Sequence, residues 1–275
     1  MSPVSVCHVS DLHFGRPAVP EQIDAIERII QERKYDVVAV SGDLTQRSRS
    51  GEFQRARAFI RDAERVSRTI VVPGNHDVKW WRAPLGIGNG DRITEEYRKY
   101  IDDDLEPVLR LDGATFVGIN TAQGVTRRTL TWNVRDISII GDVRRSQIEE
   151  ARKQFAKSPE ADARVIVMHH NPVKGELSQR HGLKQTKKIL GRFAQMGVDL
   201  VLCGHDHQEA IHYVEHTRKG TVISTAGTVS NRSRGGRPSS LNVITLSHEQ
   251  IEVSTSVWSS KMRTFVPGAS QCFAR

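Results

Sequence analysis

Val71-Val72-Pro73-Gly74-Asn75-His76-Asp77-Val78, VVPGNHDV, sets an amide, an imidazole and a carboxylate directly behind an apolar run. Val71 to Pro73 read as the end of a buried strand, and Gly74 is a turn residue. Two readings fit the cluster that follows. Asn and Asp favour tight turns, because their side chains bond nearby backbone groups. The same three side chains also carry lone pairs and protons suited to a reactive centre. The stretch alone does not decide between them.

Four further stretches repeat the pattern. VCHVSDLHFG ends on Asp11 and His13, VVAVSGDLTQ on Asp43, RVIVMHHNP on His169 and His170, and DLVLCGHDH on His205 and His207. Each is weak by itself, since Asp-x-His in a loop is commonly a turn or a solvated pair, and SGDLT commonly a turn with a helix cap. A turn reading does not explain why five apolar strands in succession end in imidazoles, carboxylates or an amide. Between the first three strands lie two helical patterns. Glu21–Glu32 has Ile23, Ile26, Ile29 and Ile30 on one face, and Phe53, Ala56, Phe59, Ile60 and Ala63 mark the second. Strand–helix–strand–helix–strand predicts a parallel sheet covered by helices. Ligands of open α/β sheets bind beyond the carboxyl ends of the strands, so the five clusters are expected on one rim. IIGDV at 139–143 mimics the second cluster, but a helical pattern over Arg144–Lys157 follows at once, and Asp142 reads as a turn or helix-start residue.

Further strands are expected at Val4–Val9, Asp36–Val40, Thr69–Val72, Val108–Leu111, Thr115–Ile119, Arg164–Met168 and Asp199–Cys203, and a helix at Leu183–Met196. From Gln208 the pattern is β, at 209–215, 221–225, 241–246 and 251–258, with a Gly/Arg/Ser loop at 231–240. Residues 1–275 are expected to form a single domain. It carries an irregular insertion at about 79–106, with a helix near Ile93–Ile101, and a C-terminal tail or docked edge at about 260–275.

The 275 residues suffice for a substantial core, and no apolar run approaches the roughly 18 residues of a membrane span. A strand at Val4–Val9 leaves no room for a signal peptide. The cysteines, Cys7, Cys203 and Cys272, are odd in number and unclustered, which argues against a disulfide framework or thiolate zinc site and for a cytoplasmic location. The net charge of +8 includes Arg127-Arg128, Arg144-Arg145, Lys187-Lys188, Arg232, Arg234 and Arg237. A positive field favours an anionic substrate or a nucleic acid, and a solvated basic surface accounts for it equally well.

Imidazole and carboxylate donors without thiolate suit divalent Mn, Fe or Zn. Two such ions about 3.5–4 Å apart clamp the attacking and leaving oxygens of an in-line displacement, and a carboxylate can bridge them. Asp11-x-His13, Gly42-Asp43, Gly74-Asn75-His76-Asp77, His169 and Gly204-His205-x-His207 together resemble the calcineurin-like metallophosphoesterases, over about residues 4–230. In detail the pattern is most similar to the bacterial class III cyclic-nucleotide phosphodiesterases. The resemblance implies an α/β fold, a four-layer αββα sandwich with two mixed sheets flanked by helices. It implies two metal ions, one held by Asp11, His13 and His207, the other by Asn75, His169 and His205, with Asp43 bridging. A water between them, acidified toward hydroxide, would attack phosphorus. His76 resembles the family's non-ligand histidine, which contacts the phosphate and protonates the leaving oxygen, with Asp77 orienting its ring.

The ligand position falls on His169, ahead of His170, Asn171 and Pro172, which leaves His170 as a supporting or packed neighbour. The family often has Gly-Asp-x-x-Asp, and here Gln46 stands for the second acid. Weaker substrate contacts are Arg16, which could equally be a surface residue, and Asn120, which could equally hold a turn. Residues 174–184 are a candidate lid, and Trp80 and Trp81 either stack on a ring or anchor the insertion. The expected activity is a metal-dependent phosphoesterase, foremost a phosphodiesterase acting on a cyclic nucleotide or related ester. The alternatives are a nuclease, a phosphomonoesterase or pyrophosphatase, and a non-catalytic metal-binding scaffold. The expected partners are a phosphate-ester substrate, nucleotides among the candidates, and a second copy in a homodimer. Nucleic acid is admitted by the charge but not favoured.

Overall fold

The computed structural model describes residues 2–82, 91–124, 139–179, 182–216 and 219–275. Residues 83–90 of the insertion, Arg127-Arg128, and residues 180 and 181 of the candidate lid lie outside them. The described strands form two six-stranded mixed sheets. In the first, β1 (Val4–Val9), β2 (Val37–Val40) and β3 (Arg68–Val71) run parallel, with Val6 opposite Val37 and Val38 opposite Thr69. β10 (Ser240–Leu246), β11 (Gln250–Ser259) and β12 (Thr264–Ala274) continue it antiparallel from the free edge of β1. The second sheet is ordered β4 (Val108–Leu111), β5 (Ala114–Ile119), β6 (Ala163–His170), β7 (Leu200–Gly204), β9 (Thr221–Thr225) and β8 (Ala210–Val214).

Three apolar cores separate four layers. Alternation along β1 sends Val4 and Val6 toward the other sheet, where they join Val37, Ala39, Phe116, Val165, Val167, Leu200 and Leu202. Cys7 and Val9 point the other way, against Ile23, Ile26 and Ile30 of α1 (Pro20–Arg33) and Phe53, Phe59 and Ile60 of α2 (Ser50–Glu64). On the far side, Ile166, Met168, Val201 and Cys203 pack on Ile148 and Phe155 of α4 (Arg145–Ala156) and Ile189 and Phe193 of α5 (Thr186–Gln195). Strands covered on both faces need continuous apolar runs, which is why β1, β2, β6 and β7 read that way. α1 begins on Pro20, whose fixed φ suits a first helical residue, and ends where Lys34 turns left-handed and its N–H returns to the Ile30 carbonyl.

Part of the expected insertion is ordered helix. α3 (Asp91–Tyr100) docks on α2 through Tyr97 and Tyr100 against Phe53, and the Tyr97 hydroxyl donates to the Val71 carbonyl at 3.3 Å. Trp80 is half-buried against Gly124. Asp142 occupies the turn ahead of α4, its N–H bonded to the Thr121 carbonyl. The helix expected from Leu183 starts at Thr186, because Gln185 is left-handed and Leu183 bridges to Gly141.

Of the tail or docked edge expected at about 260–275, the docked edge is found. Residues 264–274 are β12, paired along β11 as an edge strand. Pro267 and Gly268 hide its alternation, and an edge tolerates a residue without an N–H. Phe265 of β12 lies edge-on to Trp258 at 5.3 Å and is only 6% exposed. Phe265→Ala is therefore expected to destabilise the protein by about 3 kcal/mol in a denaturant titration, whereas a residue in a loose tail would leave the midpoint unchanged.

Candidate metal centre

The parallel strands β1, β2 and β3 deliver their carboxyl ends to the same edge as β6 and β7 of the other sheet, so the clusters meet across two sheets. Beyond β1 and β2 the chain stays paired: Asp11 N–H donates to the Gly42 carbonyl, His13 N–H to that of Asp43 and Phe14 N–H to that of Leu44, at 3.1, 2.9 and 2.7 Å. Reaching inward from such loops requires unusual backbone. Asp11, His13, Asp43, His205 and His207 all have positive φ, between 46° and 75°. Each such non-glycine residue costs about 1–3 kcal/mol, which persists only where the surroundings over-determine it. Two glycines answer close approach. A Cβ on Gly74 would stand 2.2 Å from Asp43 Oδ1, and one on Gly204 would stand 2.5 Å from Asp11 Oδ2.

Both carboxylates divide their oxygens in the same way. Asp11 Oδ2 accepts the His205 N–H at 2.9 Å, and Asp43 Oδ1 accepts the His76 N–H at 2.8 Å. The remaining oxygens face imidazoles. Asp11 Oδ1 lies 3.1 Å from His207 Nε2 and 3.7 Å from His13 Nε2. Asp43 Oδ2 lies 3.7 Å from His13 Nε2 and 3.4 Å from His169 Nε2. Around the second position, Asn75 Oδ1 stands 3.1 Å from His169 Nε2 and 3.0 Å from His205 Nδ1.

These contacts are not all hydrogen bonds. His207 Nδ1 donates to the Arg232 carbonyl at 3.2 Å and His169 Nδ1 to the Ser41 carbonyl at 2.8 Å. In the neutral rings Nε2 then carries a lone pair, and at His207 it faces a carboxylate oxygen that has no hydrogen-bond partner. Asp11, His13, Asp43 and His169 are at most 1% exposed, so these donors are closed off from bulk solvent. Lone pairs crowded in this way fit a cation between them. Donors held about 2.0–2.2 Å from one divalent ion stand about 3.0–3.5 Å apart, close to the spacings seen here. Asp11, His13, Asp43 and His207 form one such group, and His169, His170 and His205 another.

The electrostatics follow from burial and neighbours. Burial raises Asp11, but the surrounding imidazoles, His207 first, hold it well below the ordinary carboxylate range. Asp43 is held down likewise, with His169 the strongest neighbour. Burial lowers His169, and the Asp43 carboxylate overrides it and lifts the ring to about 9. His205 falls to about 3 through burial and the His169 charge. With no cation beside it the Asp43 carboxylate favours the charged His169 ring, and a bound metal ion would take the place of that ring's proton.

His76 occupies a 3-10 turn (Asn75–Asp77), its ring edge-on to His13 at 4.9 Å. Here the expected pairing is corrected. His76 Nδ1 bonds the Gln46 carbonyl at 2.8 Å, not the Asp77 carboxylate. Asp77 instead accepts from Leu44 N, Thr45 N, the Thr45 hydroxyl and Gly74 N at 3.1, 2.8, 2.9 and 2.9 Å. Successive residues of a 3-10 turn point about 120° apart, which sends Asp77 into the Asp43 loop and His76 to the cleft. Asp77 therefore bonds the Asp43 loop and not the His76 ring.

Of the two roles open to Asn120, the structure shows the turn. The Asn120 carboxamide oxygen accepts the Ala122 N–H at 2.9 Å, and the residue is buried, so it holds a turn. Arg16 is exposed on the loop past His13. His170 bonds the Thr121 hydroxyl at 2.7 Å and packs its ring on His205 at 4.6 Å. In the described part of the 174–184 segment, Glu176 faces Arg237 of the 231–240 loop at 3.5 Å. The residue missed by sequence reasoning is Arg232, whose Nη1 stands 3.3 Å from His76 Nε2. Its place among several arginines gave a signal of charge but not of direction.

A model of the calcineurin-like phosphoesterase family matches residues 4–209. The chain belongs to that family. A purple acid phosphatase from yellow lupin (Lupinus luteus) superposes with a TM-score of 0.71 at 13% identity, covering 100% of this chain and 54% of that one. This chain thus spans about half the length of the lupin protein. A dimetal phosphatase from Danio rerio gives 0.66 at 11% identity and 98% coverage of both chains, and PhoD gives 0.66 at 12%, covering 100% and 69%. At these identities the likeness is one of fold. No curated protein matches the sequence significantly. No helix of the described residues is long and apolar enough to cross a membrane.

Asp77→Ala would leave three buried N–H groups without an acceptor, at about 1–3 kcal/mol each. The metal-free variant is expected to melt well below the wild type. An Asp77 serving only to orient His76 would leave metal-free stability unchanged.

Proposed function

We propose that this protein is a dinuclear-metal phosphodiesterase acting on a nucleotide-class phosphodiester, with cyclic nucleotides the first substrates to test. The observation that carries this reading is Asp43 Oδ2, set between His13 Nε2 and His169 Nε2 at 3.7 and 3.4 Å and so shared by two donor groups. In this reading Asp11, His13 and His207 hold one divalent ion, and Asn75, His169 and His205 the other. Asp43 serves both. The N/O donor set suits Mn, Fe or Zn. Ions held there would supply an acidified water and offset charge on the phosphoryl oxygens.

The chain's own groups do the rest. Asn75 turns its carboxamide oxygen to the second group, which leaves its NH2 to donate to a phosphoryl oxygen. His76, with Nδ1 bonded to the Gln46 carbonyl, presents Nε2 to the cleft. A proton carried there passes to the departing oxygen as the phosphorus–oxygen bond breaks. The resemblance to class III phosphodiesterases supports the diester, and three unpaired cysteines support a cytoplasmic setting. The lupin and zebrafish neighbours are named as phosphatases, which makes a monoester the control substrate.

Asp43→Ala is expected to abolish Mn²⁺-dependent hydrolysis of bis(p-nitrophenyl) phosphate, and full activity would overturn the shared-ligand assignment. His76→Ala should lower kcat by about 10²–10⁴-fold while elemental analysis still finds two metals per chain. Loss of a metal would instead make His76 a ligand. Turnover of cyclic AMP, cyclic GMP and their 2′,3′ isomers against a phosphomonoester and single-stranded DNA decides the substrate class. Preference for the monoester would refute the diesterase.

A further inference from the structure

Arg232 supplies a cation that the metal groups do not use. Its backbone is fixed on the Asp11 side of the cleft. Asn231 N–H donates to the Pro17 carbonyl at 2.9 Å, Ser230 bridges to Ala18, and the Thr228 hydroxyl donates to the Asp11 carbonyl at 2.7 Å. The Arg232 carbonyl itself accepts from His207 Nδ1. The side chain then crosses the cleft. Nη1 stands 3.1 Å from Gln46 Oε1 and 3.3 Å from His76 Nε2. Because His76 Nδ1 is bonded to a carbonyl, Nε2 offers Nη1 its lone pair. The guanidinium thus occupies the face of His76 that a leaving oxygen must reach.

Its charge is also uncompensated. Arg237 of the same loop pairs with Glu176 and Glu209, whereas Arg232 forms no ion pair with a carboxylate among the described residues. Its neutral partner is Gln46, at the position where the resembled family often has an acid. An aspartate there would pair with the arginine and neutralise it. A glutamine holds the guanidinium in place with one neutral acceptor, and leaves its other N–H donors and its charge to a ligand.

We infer that Arg232 binds the phosphoryl group of the substrate. Its guanidinium passes from His76 Nε2 to a non-bridging phosphate oxygen, and Gln46 keeps that cation unpaired. This rests on the phosphoester reading above. A fork of N–H donors matches phosphate oxygens as a lysine point charge does not, so the site selects an anionic phosphoryl group, whether ester or free phosphate.

The test uses the Mn²⁺-loaded full chain as wild type, Arg232→Ala, Arg232→Lys, Gln46→Asp and the Gln46→Asp/Arg232→Ala double variant. Calorimetry measures inorganic phosphate affinity, and bis(p-nitrophenyl) phosphate gives KM and kcat. Arg232→Ala is expected to weaken phosphate binding and raise KM by about tenfold to a hundredfold, with metal content unchanged. Arg232→Lys should recover part of this. Gln46→Asp should act in the same direction by pairing off the arginine, and should add nothing in the double variant. Wild-type phosphate affinity in Arg232→Ala, loss of a metal from it, or additive effects of the two changes would overturn the assignment. Should Arg232→Ala fail to fold, Gln46→Asp decides, since it leaves the arginine in place. A wild type without Mn²⁺-dependent hydrolysis would refute the enzymatic reading alone, because phosphate affinity still reports on Arg232.

Discussion

Buried lone pairs that face one another need a positive charge between them, and much of this molecule is arranged around that need. Asp43 Oδ2 and Asp11 Oδ1 point at the Nε2 atoms of His169 and His207, rings whose Nδ1 atoms bond the Ser41 and Arg232 carbonyls. The second oxygen of each carboxylate is fixed by a backbone N–H from another strand's loop, at His76 and His205. His169, His207 and both carboxylates are therefore aimed by bonds made outside the cluster, so that they cannot turn away to satisfy themselves. Such outer bonds fix the tautomer and direction of metal ligands.

That demand shapes the backbone. Asp11, His13, Asp43, His205 and His207 adopt left-handed conformations that favour glycine. Gly74 and Gly204 carry no side chain because carboxylate oxygens occupy the space. Asp77 ties the Asp43 loop to Gly74 and so keeps two strand ends in contact. The strain is sustained by the three apolar cores beneath, which hold the two sheets face to face.

Beside the metal groups lies a smaller polar arrangement of His76, Gln46 and Arg232. It joins residues from the loops after β3, β2 and β9, and each touches the next through one hydrogen bond. Gln46 acts twice, with its carbonyl on His76 Nδ1 and its side chain on the guanidinium. A departure from the family's usual acid is thereby connected to the charge state of the cleft.

The local features were legible in the sequence. Apolar runs at Val4–Val9 and Val37–Val40 mark strands covered on both faces, and the isoleucine spacing of α1 marks a helix packed on one side. Five strand ends carrying donors identify the cluster, because side-chain chemistry and strand direction are both written locally. What the sequence left open depended on direction in space. It did not show that Asp77 turns into the Asp43 loop while its neighbour His76 turns to the cleft, that Asn120 bonds its own turn, or that residues 264–274 pair as a strand despite Pro267. Nor did it separate Arg232 from the other arginines of its loop, since a long side chain's reach is set by where its backbone is anchored. The sequence alone determined which donors exist and on which strand ends they stand. Only the tertiary structure decided which face one another, because hydrogen bonds across the two sheets join residues as far apart in sequence as Asp11 and Thr228.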